Sequence, residues 1–223
     1  MKLIVKYHPE INVKSRSVRK RFSKLLESNL RIIVKRIYPS AHVVARWSDV
    51  LIEAPNISEE AEREVIDLVS RVPGVDQYNQ VVEYDYVDFD SAFEHVATHW
   101  APHLEGKTFC VRVKRTGKHD FTSNDIERYI GGGLNQRVES AQVKLKNPDL
   151  TIKLELRQDK LHVIKQNHKG LGGMPIPTQE DVLSLISGGF DSGVATYHMM
   201  RRGARTHFCF FNLGGKDHEI GVK

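Results

Sequence analysis

Apolar and polar positions repeat with two different periods along the 223 residues, and the changes of period mark the elements. Leu3-Ile4-Val5-Lys6-Tyr7 reads as a first strand. From Ser17 onward, Val18, Phe22, Leu25, Leu26, Ile33 and Ile37 recur near helical spacing, while Arg16, Arg19, Lys20, Arg21, Lys24 and Arg31 largely fill the rest. His42 to Trp47 and Val50 to Ala54 read as two strands joined by a turn at Ser48-Asp49. Ser58 is an expected N-cap for a second helix, with Glu59, Glu60, Glu62 and Glu64 near its positive end and Pro73-Gly74 as its stop. Val75 to Tyr84 supplies a fourth strand.

The order βαββαβ over residues 1–84 predicts a ferredoxin-like domain, an arrangement that many functions share. A second unit, 85–167, begins with a helix opened by Asp90-Ser91 and running to about Trp100. His95, His99 and His103 are spaced by four, but no second cluster of ligand types accompanies them, so a metal site is not expected. Thr108 to Arg115 alternates apolar and basic residues and so displays Arg112 and Lys114 on one face, ahead of a polar loop from Thr116 to Phe121. Ser123 or Asn124 is expected to cap the next helix, which Gly131-Gly132-Gly133 interrupts, for packing or for close approach of an RNA backbone. Leu150 to Leu156 and Lys160 to Lys165 form a strand pair about Gln158-Asp159. Glycines and prolines at 168–180 read as a linker. A strand to Ile186, a helix ending near Arg201-Arg202-Gly203 and a strand from Thr206 to Phe211 then make a βαβ unit in 181–223.

Charge changes this picture from fold toward partner. Residues 1–46 carry 12 Lys/Arg and 2 acids, 47–105 carry 2 and 14, 106–170 carry 14 and 7, and 171–223 carry 5 and 5. Two basic blocks of this size, either side of an acidic one, favour a polyanion over merely solvated faces. No apolar run reaches the ~20 residues of a membrane helix, and no signal peptide is evident, so a cytoplasmic location without membrane attachment is expected. Cys110 and Cys209 lie in strand-like apolar runs and are expected as buried, reduced thiols.

The most specific chemistry lies in Ser187-Gly188-Gly189-Phe190-Asp191-Ser192. A glycine turn between a buried strand and a helix start lets backbone amides converge on an anion at the helix's positive end. No Lys-[Ser/Thr] follows the glycines, which excludes a Walker A loop. The stretch resembles the Ser-Gly-Gly-x-Asp-Ser loop of the ATP pyrophosphatase (PP-loop) superfamily, and within it is similar to the bacterial tRNA 4-thiouridine synthetases. The run Arg112-Val113-Lys114-Arg115, the loop after it, the glycine-rich helix and the paired strands are likewise similar to a THUMP RNA-binding domain.

The resemblance implies an α+β chain, ferredoxin-like then THUMP, followed by the first βαβ unit of an α/β PP-loop domain. It implies ATP and Mg²⁺, a tRNA partner, and a persulfide sulfur donor of the cysteine desulfurase type. Uridine O4 would be adenylated and replaced by sulfur, with a further link to thiamine thiazole synthesis. Gly188, Gly189 and Phe190 would offer amides, and Ser187 and Ser192 hydroxyls, to the phosphates. Asp191 is assigned to Mg²⁺ or to orienting the loop. The main chain at Leu185-Ile186 and Phe210-Phe211 would border the adenine, the phenyl rings themselves being expected in the core. Arg112, Lys114, Arg115 and Lys118 are the chosen RNA phosphate contacts. Only 32 residues follow Asp191, short for a doubly wound domain, so the chain is expected to hold the start of that domain and to be weak or inactive alone. A non-catalytic tRNA-binding fragment and a small-molecule PP-loop ligase are the alternatives.

Overall fold

A computed structural model describes residues 1–216, arranged in two compact units. One joins the residues up to Asn79 with those from Asn167 onward, and the other comprises Gln80–Gln166. The first contains β1 (Lys2–Tyr7), α1 (Pro9–Asn12), α2 (Arg16–Ile37), β2 (His42–Ala45), β3 (Asp49–Glu53), α3 (Glu59–Ser70) and the start of β4 (Val75–Asp85). Its strand order is β2-β3-β1-β4, with β1 and β2 both antiparallel to β3. This is the order a ferredoxin-like βαββαβ chain produces.

Helix α2 forms because Phe22, Leu26, Leu30 and Val34 fall four apart and are buried as a single stripe. That stripe meets Leu3, Val5 and Tyr7 of β1 and Val65 and Val69 of α3 in one core. Ser58 caps α3 as expected, its hydroxyl accepting from the Ala61 amide. Asp49, expected in a turn, instead opens β3 and is fully buried. Arg46 Nε donates to its Oδ1 at 2.6 Å, and Lys6 Nζ lies 3.6 Å from Oδ2. A buried carboxylate persists there because cations and the Ser48 hydroxyl, at 3.1 Å, replace its water.

The second unit holds the end of β4, α4 (Phe89–Trp100), a 3₁₀ turn (Ala101–His103), β5 (Thr108–Thr116), α5 (Ser123–Arg137), β6 (Gln142–Val143), β7 (Leu150–Arg157) and most of β8 (Lys160–Lys169). Here the order is β4-β8-β7-β5-β6, with β5 parallel to β7 and β7 antiparallel to β8. Val96, Phe109, Ile126, Ile130, Leu134, Leu154 and Val163 are among its core. Both helix starts lie a little earlier than the sequence suggested. Asp88 caps α4 through a box with Ser91, and Thr122 caps α5 through a box with Asp125, because each side chain reaches the amide three residues on while its partner reaches back.

The glycine triplet does not interrupt α5, which runs through it unbroken. A Cβ on Gly133 would lie 2.6 Å from Phe93 Cε2 of α4, so close helix packing demands glycine there. Gly132 would meet nothing within 4 Å.

The chain then returns to the first unit, where β9 (Val182–Ile186), α6 (Phe190–Arg201) and β10 (Thr206–Phe210) follow. Strands β9 and β10 pair in parallel, from Val182 opposite Thr206 to Ile186 opposite Phe210. Ser184 Oγ and Thr196 Oγ1, 2.5 Å apart, tie the sheet to α6. Residues 217–223 of the expected third domain lie outside the described residues.

Candidate functional site

Parallel pairing brings the carboxyl ends of β9 and β10 side by side, and the glycine loop leaves from one of them. Leu185 and Ile186 therefore adjoin Phe210, Phe211 follows at once, and Ser187 to Ser192 rise from the same edge. Gly188 has φ +81°, a conformation side-chain-bearing residues rarely adopt, so this turn requires glycine. Gly189 is the N-cap of α6 and offers no side chain to the helix, leaving the first amides without a capping group. A Cβ on Gly189 would meet only Ser187 Oγ, at 3.6 Å, so no side chain fills the corner. Helix-start amides without a side-chain cap, the positive end of a 12-residue helix and an open face fit a polyphosphate.

The side chains around the loop are arranged as follows. Ser187 and Asp191 are exposed, and Phe190 is 94% exposed. Ser192 Oγ donates to the Gly189 carbonyl at 2.8 Å, which steadies the turn and directs that proton inward. The expectation of core phenyl rings is corrected: Phe211 is 63% exposed and Phe210 half-buried, because among the described residues no element covers this edge. Cys110 is buried, whereas Cys209 is only half-buried for the same reason.

The stretch expected to be a linker is an ordered strap. Strand β8 continues to Lys169, and then Gly170 and Gly172 donate their amides to the Asp76 and Val75 carbonyls at 2.8 and 2.7 Å. Asn29 Nδ2 on α2 donates to the Ile176 carbonyl at 2.7 Å, and Met174 is buried in the ferredoxin-like core. On its other side the strap caps the end of α6. The Met174 amide donates to the Arg201 carbonyl at 2.9 Å, and the Thr178 and Gln179 amides donate to that of Gly203 at 2.9 and 3.1 Å. Gly173, at φ +76°, is required here, since a Cβ would overlap the Arg201 carbonyl oxygen. The ferredoxin-like core thus grips one end of the helix whose other end carries the glycine loop.

On the second unit, β5 alternates as expected, with Arg112 and Lys114 exposed and Val111 and Val113 buried. The four chosen cations differ in availability. Lys114 and Lys118 are exposed. Arg112 is partly committed, its Nη1 lying 3.4 Å from Glu127 Oε2 and its Nη2 donating to the Leu145 carbonyl at 3.1 Å. Arg115 is half-buried, donates to the His119 carbonyl at 3.2 Å and lies over the Phe121 ring. Lys153, in register with Arg112, adds a basic position on the adjoining strand that spacing alone did not reveal.

His95 stacks on Tyr84 with centroids 3.9 Å apart, and His99 Nε2 lies 2.6 Å from the Tyr84 hydroxyl. Burial, with Lys165 and His95 nearby, holds the His99 pKa below the usual histidine value. His99, Trp100, His103, Lys107, Leu150 and Lys165 line a pocket of about 310 Å³. Its two lysines come from β8 and from the turn before β5, which sequence spacing could not bring to the histidines.

Three family models match in succession: the ThiI ferredoxin-like domain over residues 2–79, the THUMP domain over 86–164 and the Thiamine biosynthesis protein (ThiI) over 177–223. A tRNA sulfurtransferase of Haemophilus influenzae (strain 86-028NP) is 54% identical over 223 residues, covering 100% of this chain and 46% of the relative. The chain therefore spans about half the length of that relative. Among solved structures, PH1313 from Pyrococcus horikoshii Ot3 shares the fold with a TM-score of 0.81 at 24% identity, over 99% of this chain and 72% of that one. A 4-thiouridine synthetase solved as an RNA complex with bound ATP gives 0.75 at 23% identity, over 96% and 53%. Together these matches make the chain a homologue of the tRNA sulfurtransferases, carrying their ferredoxin-like and THUMP domains and a βαβ segment of the thiamine biosynthesis protein (ThiI) family.

Proposed function

We propose that this chain is the RNA-holding and phosphate-loop part of an ATP-dependent tRNA sulfurtransferase that makes 4-thiouridine. The uridine O4 attacks the α-phosphorus of ATP, the bond to the β-phosphate oxygen breaks and pyrophosphate leaves. The outer sulfur of a persulfide on a donor of the cysteine desulfurase type then bonds to C4 and displaces AMP, and a thiol co-reactant cleaves the S–S bond, leaving the sulfur on C4 and becoming oxidised to a disulfide with the donor's cysteine. The observation that carries this reading is the uncapped start of α6 behind Gly188, in a chain aligned along its whole length with tRNA sulfurtransferases. The amides of Phe190 and its neighbours would hold the phosphates, and Ser187 would add a hydroxyl. Ser192 would keep the turn rigid. Asp191, exposed in the first turn, would hold Mg²⁺, which neutralises phosphate charge when bound. Lys114 and Lys118, with Arg112 and Arg115, would take RNA phosphates.

The test is pyrophosphate release with ATP, Mg²⁺ and unmodified tRNA, run on this chain and on one extended to the relatives' length. Release that requires tRNA and falls in Gly188→Ala supports the reading. Release indifferent to tRNA overturns it.

One observation favours a second reading, in which the chain alone holds tRNA without turnover. Strands β9 and β10 leave Leu183 63%, Leu185 58% and Phe208 61% exposed. Under that reading salt-dependent tRNA binding persists while the 223-residue chain releases no pyrophosphate.

A further inference from the structure

The pocket at the end of α4 is built by the same alternation that builds the core of the second unit. Phe109 and Val111 of β5, and Leu161 and Val163 of β8, face that core. Lys107 stands two residues before Phe109 and Lys165 two after Val163, so each continues the core-facing side of its strand past the apolar residues. Parallel pairing sets Phe109 opposite Leu150, and antiparallel β8 returns toward the same end beyond Val163, which pairs with Leu154. The last residues of α4 and the 3₁₀ turn close the other side with His99, Trp100 and His103, leaving a concavity of about 310 Å³.

The chemistry of this lining is one-sided. It holds two ammonium groups, two imidazoles, the Trp100 ring and the Leu150 side chain, and no carboxylate. Among the described residues neither Lys107 nor Lys165 makes an ion pair or a side-chain hydrogen bond. Asp149, whose pKa Lys107 helps to lower, is taken up by Thr108, whose amide and hydroxyl donate to its Oδ2 at 2.8 and 2.6 Å. The negative end of α4 draws cations to this place, yet among the described residues none of its carbonyls bonds to either ammonium. His99 is engaged with the Tyr84 hydroxyl, which leaves the two lysines and His103 as the available polar groups.

Rows of cations on an open face suit a polynucleotide, whereas a concave pocket with apolar walls, at the small end of the usual range of about 300–1,000 Å³, suits a small ligand. We propose that this pocket binds a small phosphorylated molecule, its phosphate between Lys107 and Lys165 and an apolar or aromatic body against Trp100 and Leu150. Two ammonium groups from separate strands match a dianion, and charge-assisted bonds to phosphate are the stronger class. The pocket belongs to the second unit and the glycine corner to the first. Lys107 precedes β5 and Lys118 follows it, so a nine-residue strand, roughly 26 Å long, separates the pocket from the loop chosen for RNA.

The test records ¹H–¹⁵N spectra of the full chain, whose two tryptophans give two indole cross-peaks, during titration with phenyl phosphate and with inorganic phosphate at constant ionic strength. The Trp100 peak, identified by its persistence in Trp47→Phe, should shift saturably with phenyl phosphate, and with inorganic phosphate at about tenfold higher concentration. Lys107→Gln and Lys165→Gln should each weaken phenyl phosphate about tenfold, the loss of one charge-assisted bond. Lys144→Gln, equal in charge and outside the lining, should stay near wild type. Shifts at the Gly188 and Gly189 amides read any binding at the glycine corner separately. A Trp100 peak unmoved by either phosphate, or an equal weakening in Lys144→Gln, overturns the pocket while leaving the corner's role intact. A Trp100 shift that appears only with unmodified tRNA assigns the pocket to nucleic acid and overturns it as well.

Discussion

Gly132 and Gly133 are neighbours on one helix, yet the structure predicts opposite consequences for the same substitution. Gly132→Ala adds a methyl group that meets nothing within 4 Å, so the helix-propensity gain of about 0.8–1.0 kcal/mol is realised in full. Gly133→Ala has the same gain available, but its Cβ would lie 2.6 Å from Phe93 Cε2 and 2.9 Å from Cδ2. Moving the ring aside disturbs its contact with the Arg137 guanidinium, which lies 4.7 Å over it and is held by both Glu94 oxygens at 2.6 and 2.8 Å. Overpacking of this kind costs about 1–3 kcal/mol, which places Gly133→Ala below Gly132→Ala by that amount. Urea unfolding in a Trp47→Phe background, where Trp100 on α4 supplies the remaining indole signal, reads the difference as a midpoint shift on the order of 1 M. Equal midpoints, or a higher one for Gly133→Ala, would refute the packing argument.

The strap and two histidines on β8 lead to two further outcomes. Gly173→Ala combines a left-handed backbone cost of about 1–2 kcal/mol with loss of the bond from the Met174 amide to Arg201, about 0.5–1.5 kcal/mol, and steric overlap. Hydrogen exchange at Met174 and Thr178 should accelerate by at least tenfold while β1 and β3 keep their protection, and unchanged exchange at the strap would contradict the assignment. His162 is 2% exposed with Nε2 2.9 Å from Glu83 Oε2, and burial is the main cause that lowers its pKa; burial lowers that of His168 too. The unfolded chain then takes up protons near pH 6.5 before the folded one does, so stability falls as pH drops through that value and recovers above it. Denaturation between pH 5 and 8 should show this acid limb, and His162→Gln should flatten it. A limb of undiminished slope in that variant would assign it elsewhere.

Periodicity carried much of the architecture, because α2 and α3 bury one face each at helical spacing, while strands such as β1 and β8 show as runs of consecutive buried residues. What it missed is local or distant. The four residues of α1 and the two of β6 are too short to show a period. Thr122 and Asp88 were passed over in favour of polar residues just after them, since several near neighbours could cap and only geometry chooses. The strap reads as a loop because glycine and proline signal a turn whether or not its amides and carbonyls find partners, and one of those partners, the Asn29 side chain that donates to the Ile176 carbonyl, lies far away in sequence. The strand, turn and helix start of the glycine corner were legible, its six residues being consecutive, whereas the exposure of the neighbouring phenyl rings was not. The basic face of α2 shows in the spacing, whereas Trp47 meets Arg19 only through the fold.

The most direct measurement of the central claim is a ¹H–¹⁵N titration of the full chain with MgATP, before and after addition of unmodified tRNA. The account predicts saturable shifts at the amides of Gly188, Gly189, Phe190 and Asp191, absent in Gly188→Ala, with separate tRNA-dependent shifts around Lys114 and Lys118. ATP-dependent shifts confined to other parts of the chain, with the corner amides unmoved, would contradict it.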